Sequence, residues 1–454
     1  MKTQVGKLFL LVALVSLVVG LLFGALAAQV YIFPDFLKST IGFVALRPLH
    51  VSFVIFWILL AASGCVISAL TALKPNCISN KLVLAQLLLW LIAIVGVASS
   101  YFKKDFGGRE YWEFNPIWAL PIAASWLLML ANFIKVVKHF KTWPVYVWMW
   151  MTGIVFFLFT FTENYLWLFP YFRKDFITDM TIQWKVNGSL VGAWNQIIYG
   201  TAFFLMDRIS GQNKMASSKM AFAMFFLGLF NLMFNWGHHI YTLPTQVYIR
   251  YVGYVVSMTE WMFFARIIYT WKASIKEAKQ YFHYYPYRFI MASNFWVFLN
   301  MAQAILMSIP AFNLYTHGTH VTVAHAMGTT IGINTMILFA ACFMFLSNPC
   351  KSYHKPTKIL NAAFWIMQIS LFVFWISLNI AGIQKGIWQN AISTISHHTL
   401  MQKLVPYFIA FNVAGLVLIA ALFTTSMVLL INTIKCHFKQ PTMAINTSTQ
   451  TALY

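Results

Sequence analysis

Long apolar runs decide what this chain can fold into. Stretches with almost no charge recur along its length, and about 20 apolar residues is what a helix needs to cross a bilayer. Twelve such segments are marked, beginning near Leu8, Arg47, Leu82, Ile117, Val145, Gln183, Ser217, Val247, Arg288, His320, Leu360 and Pro406. Only 9% of residues are charged and 60% are hydrophobic, with a mean hydropathy of +0.72, which excludes an ordinary soluble domain. The predicted fold is an all-α polytopic membrane protein of twelve transmembrane helices. Residues 1–439 form one membrane domain and residues 440–454 a polar C-terminal tail. The first segment reads as a span and not as a cleaved signal, despite the small residues from Ala25 to Ala28.

A net charge of +21 raises the question of nucleic acid. Topology accounts for it better. With a cytoplasmic N-terminus, the inner loops collect Lys74, Lys81, Lys135, Lys138, Lys141, Arg208, Lys272, Lys276 and Lys279 among others. Roughly eleven basic residues are left for the outer side, the usual positive-inside bias with both termini cytoplasmic. No nucleic-acid partner is expected; the bilayer is the partner. The acids Asp35, Asp105, Glu110, Glu113, Asp175 and Asp179 fall in outer loops, and the longest outer connection runs from about Ile383 to Val405. The five cysteines form no CxxC pair and no CxxCH, so neither a disulfide framework nor a covalently held c-type haem is expected on this chain.

Polar groups at membrane depth are costly and default to functional candidates. His50 stands in RPLHVSFVIFW, where a hydrogen-bonded core histidine is the bland alternative. The run NWGHHIYTLPTQ carries His238 and His239. Adjacent imidazoles reach one ion only if the backbone unwinds, which Gly237 and Pro244 permit. Two neutral imidazoles suit iron, copper or zinc. The run THGTHVTVAHAMGTTIG holds His317, His320, His325 and Met327. His325 and Met327 point roughly 200° apart on a helix and can face two different groups. Gly328 and Gly332 leave room for a flat macrocycle or for a neighbouring helix. Glu260 is a carboxylate inside a span, suited to proton transfer. A plain transporter would explain the spans but not the histidines.

These motifs resemble those of the haem-copper oxidase superfamily catalytic subunit I, most closely its nitric oxide reductase branch. The resemblance implies that His50 and Met327 hold a low-spin b-type haem, His325 a high-spin b-type haem, and His238 and His239 a non-haem iron or copper. GGREYWEFNP resembles a segment that helps hold calcium between haem propionates, with Glu110 and Glu113 as its acids and Arg109 a propionate partner. Glu260 matches a glutamate near the reductase metal. WKVNGSLVGAWN departs from the pattern: Asn187 and Val191 stand where the family has a metal-binding His and Glu, and Asn195 replaces a second Glu. Asn187 is then at most a weak neutral ligand. The expectation is a divergent nitric oxide reductase in a bacterial inner membrane, served by a membrane-anchored cytochrome c-type or other electron-donor subunit. NO dismutation to dinitrogen and oxygen is the nearest alternative. A non-catalytic haem-based NO or redox sensor, or a respiratory complex subunit, is the alternative of another class.

Overall fold

The computed structural model describes residues 5–211, 216–258, 284–346, 357–391 and 395–438. Among them, ten helical stretches are long and apolar enough to cross a membrane. α1 (Val5–Ala28) packs along α2 (Gly42–Leu73), followed by α3 (Asn80–Phe102), α4 (Ala119–Val137) and α5 (Val145–Glu163). A short α6 (Pro170–Arg173) precedes α7 (Phe176–Ser210), and α8 (Lys219–Phe234) runs into a 3₁₀ segment (Asn235–Ile240). α9 is described over 247–258. Then come α10 (Tyr284–Ser308), the short α11 (Pro310–Thr316), and α12 (His320–Met327). A π-helical stretch (Gly328–Thr335) joins α12 to α13 (Met336–Leu346), and α14 (Lys358–Asn390) pairs with α15 (His397–Phe438).

Enclosure singles out two of the spans. The apolar stretch of α2 is 89% buried and that of α12–α13 78%, against 24–56% for the other spans. The helices that carry His50, His325 and Met327 are therefore the innermost. Trp57, Trp90, Trp126, Trp150 and Trp296 fill the interior, while Leu88, Val95 and Ile369 stay exposed, as lipid-facing residues do.

Twelve helices are not established. α7 has ample length but carries Asp179, Lys185, Asn187 and Asn195, and it is not among the ten. The segment expected from Val247 lies partly outside the described residues, as do Glu260 and the tail from 440. The prediction of an all-α chain also needs correction. The GGREYWEF segment forms an antiparallel hairpin, β1 (Phe106–Arg109) with β2 (Trp112–Phe114). Tyr111 sits at its tip with φ 71°, a left-handed conformation rare outside glycine. The long outer connection expected over Ile383–Val405 is mostly helix, because α14 continues to Asn390 and α15 begins at His397 with Pro406 inside it. Apolar length marks where a helix crosses lipid, not where it ends, so both helices run on past the membrane.

Candidate functional site

The site starts with glycine. A Cβ on Gly24 of α1 would stand 2.6 Å from His50 Nδ1, so the missing side chain is the seat of the imidazole. His50 Nδ1 lies 2.8 Å from the Gly20 carbonyl, which can only accept, so Nδ1 carries the proton. That bond fixes the ring and leaves Nε2 bare, the arrangement that orients metal-ligating histidines.

Across the interior, the chain does unwind at the histidine pair. Asn235–Ile240 is a 3₁₀ segment, and Gly237 lies against Gly253 of α9 so closely that a Cβ on either would meet backbone at 3.0–3.1 Å. The two imidazoles follow one another with centroids 4.3 Å apart and planes tilted by 31°. A Cβ on Gly188 of α7 would reach His239 at 3.0 Å. His317 and His325 both come near His239. His50, His239 and His325 are each half-buried, keeping some accessible surface. His325 Nδ1 is buried without a partner. Directly after Met327 comes the π-helical stretch, a local rearrangement common at functional sites.

Several expected roles land elsewhere. The Asn187 amide oxygen accepts from Gln183 Nε2 at 3.2 Å, and its amide nitrogen reaches Glu110 at 3.5 Å. The α7 residue whose Cβ would reach His239 is Gly188, next to Asn187. Among the described residues, no three His, Cys, Asp or Glu side chains gather as a metal cluster. The described donors there are the two imidazoles of His238 and His239, a set that would fit a metal with open positions. The gaps at Gly328 and Gly332 are filled by Asn300 and Trp296 of α10, so a neighbouring helix takes that room. Asn195 accepts from Asn334 Nδ2 at 3.0 Å, a neutral pair where the family motif has a carboxylate. His320 packs against Tyr31 and Phe408, in contact with α1's end and α15.

Ion pairs tie the hairpin to α2 and α7. Arg47 Nη1 donates to Glu113 at 2.7 Å and Nη2 to Glu110 at 3.2 Å. Arg109 pairs with Asp179 of α7 at 2.6 Å and lies 4.9 Å over the Trp167 ring. These groups are partly exposed, so each pair contributes only about 0.2–1 kcal/mol and serves to position the loop. Burial raises the Glu113 carboxyl above its usual range, and the Arg47 charge opposes it. Tyr111 is pushed up to about 12 by burial, helped by the Glu110 charge. The expected calcium ligands Glu110 and Glu113 are thus both engaged by Arg47, and the expected propionate partner Arg109 by Asp179. Glu260 lies outside the described residues. Sequence reasoning missed Gly20, Gly24, Gly188, Gln183 and Asn334; only their small or amide character inside apolar runs marked them.

Known proteins give the class. The family model for "Cytochrome C and Quinol oxidase polypeptide I" matches residues 4–417. The chain belongs to this family, the haem-copper oxidase subunit I proteins, and is an integral membrane protein of an oxidoreductase superfamily. It is 24% identical over 416 residues to a nitric oxide reductase subunit of Stutzerimonas stutzeri, covering 86% of this chain and 85% of that one. Cytochrome c oxidase subunit 1 of Rhodobacter capsulatus is 23% identical over 393 residues, covering 82% and 73%. A solved haem-copper terminal oxidase superposes with a TM-score of 0.72 at 16% identity, over 98% of this chain and 84% of its own. Reductase and oxidase relatives are nearly equidistant, so likeness alone does not choose the substrate.

Proposed function

We propose that this chain is the catalytic subunit of a divergent nitric oxide reductase in a bacterial inner membrane. The reaction is 2 NO + 2 e⁻ + 2 H⁺ → N₂O + H₂O. The observation that carries it is the unwound His238–His239 pair, with His239 near His325 and Gly188 giving the His239 ring room. Haems on His50/Met327 and on His325, and a metal on His238 and His239, would supply electron transfer and NO binding.

The chain's own residues do the rest. Gly20 and Gly24 hold the His50 ring with Nε2 bare. Two imidazoles without a carboxylate leave a neutral, open donor set that admits small uncharged ligands. Glu113, held neutral more readily than a free carboxylate, is the outer candidate for passing protons inward. Electrons come from a cytochrome-bearing partner protein. The test is the electron count in the purified, haem-replete complex under anaerobic conditions. One electron from a reduced donor consumed per NO supports reduction, and NO left untouched by a metal-loaded sample rejects it.

One observation favours dismutation, 2 NO → N₂ + O₂, as the second reading. α7 offers Asn187, Val191 and Asn195 where carboxylate or imidazole is expected, and Asn195 is held by Asn334. Dismutation needs neither protons nor electrons. NO consumed with no donor oxidised would select it.

A further inference from the structure

The histidine pair sits on backbone that has left the α-helix. Deep in a membrane protein, the carbonyls this frees must find donors, because an unsatisfied one costs several kcal/mol. α11 supplies them. Asn313 is 3% exposed, and its Nδ2 donates to the His238 carbonyl at 3.2 Å. The same nitrogen donates to the Met307 carbonyl at 3.0 Å, so both amide hydrogens are used and the orientation of the group is fixed. Four residues on, the His317 imidazole lies close to the His239 main chain. The two are linked through their backbones, His317 N–H to Asn313 C=O at 2.8 Å. The His317 ring is also braced from α7, with its centroid 4.9 Å from that of Trp184. Trp184 lies one turn before Gly188, the residue that makes room for His239.

We propose that Asn313 and His317 are positioning residues for the non-haem metal centre: a clamp from α11 that holds the carbonyls of His238 and His239 and so fixes the aim of both imidazoles. This rests on the reading of His238 and His239 as metal ligands. The clamp acts on main chain, so it leaves both rings free to ligate. It also gives the THGT stretch a role that its position between spans does not disclose. His317 does not ligate; it sets the orientation of a residue that does.

The test is chelator competition for the non-haem metal in the full complex, with the low-spin haem spectrum as internal control. His317→Phe keeps a ring for Trp184 and loses the donor; His317→Gln keeps a donor and loses the ring. Outer partners of metal ligands typically contribute 10–100-fold in affinity, so His317→Phe should weaken metal binding by about tenfold or more and His317→Gln by less than roughly threefold. Asn313→Ala removes the other donor without adding bulk and should weaken it by about tenfold as well; it reads the same quantity if His317→Phe does not accumulate. Unchanged affinity in His317→Phe or Asn313→Ala overturns the clamp. Equal losses in His317→Phe and His317→Gln overturn it too, since the ring would then be what matters. A wild-type complex with haems but no bound non-haem metal rejects the metal-site reading beneath the proposal.

Discussion

A Cβ at Gly24 would stand 2.6 Å from His50 Nδ1, inside any allowed contact, while Nδ1 is already held at 2.8 Å from Gly20. Gly24→Ala must therefore push the ring from its seat. The overpacking costs about 1–3 kcal/mol. The expected result is loss of the low-spin haem signal in pigment spectra while the protein still inserts; an unchanged spectrum contradicts this seat. Glu113 carries the second residue-scale prediction. Burial favours its neutral form, so the folded state binds that proton more tightly than the unfolded chain does. Stability therefore falls as pH rises from the ordinary carboxylate range through the raised native pKa, and is level above it. Arg47→Gln removes the opposing charge and extends that window upward. A protonated-carboxyl infrared band, absent in Glu113→Gln, should persist to higher pH in Arg47→Gln than in the wild type, and an identical titration would refute the assignment. The imidazoles themselves were legible, because a histidine in an apolar run needs a reason. Their supports were not: Gly20, Gly24 and Gly188 look like any small residue in a membrane helix, and only the neighbouring helix gives each its meaning.

At the scale of elements, the 3₁₀ segment is what would let a dipeptide act as the proposed two-imidazole donor. Its geometry depends on the approach of Gly237 to Gly253. Gly253→Ala places a Cβ 3.1 Å from that backbone, so the segment must shift by a few tenths of an ångström. On the proposed assignment, metal content should fall with the low-spin haem signal retained; equal loss of both would point to general misfolding instead. The unwinding was readable from Gly237 and Pro244 flanking the pair. The hairpin was not, since strands of four and three residues give too short an alternation to register. Nor was the behaviour of α7. Gln183 and Asn187 are a turn apart and bond to one another, so a motif alignment that assigned Asn187 to the metal could not see that its oxygen was already engaged. The ends of α14 and α15 escaped because helices do not stop where lipid does.

For the whole molecule, the apolar runs specified a polytopic bundle, and the most enclosed spans are those that carry His50, His325 and Met327. That match between depth and chemistry is the core of the account. The direct measurement is isotopic: feed ¹⁵N-labelled NO anaerobically to the purified, haem- and metal-replete complex with a reduced donor, and identify the gases by mass spectrometry. The account predicts doubly labelled nitrous oxide. Labelled dinitrogen with oxygen would move the chain to dismutation, and no nitrogen product from a fully loaded complex would contradict catalysis on NO altogether.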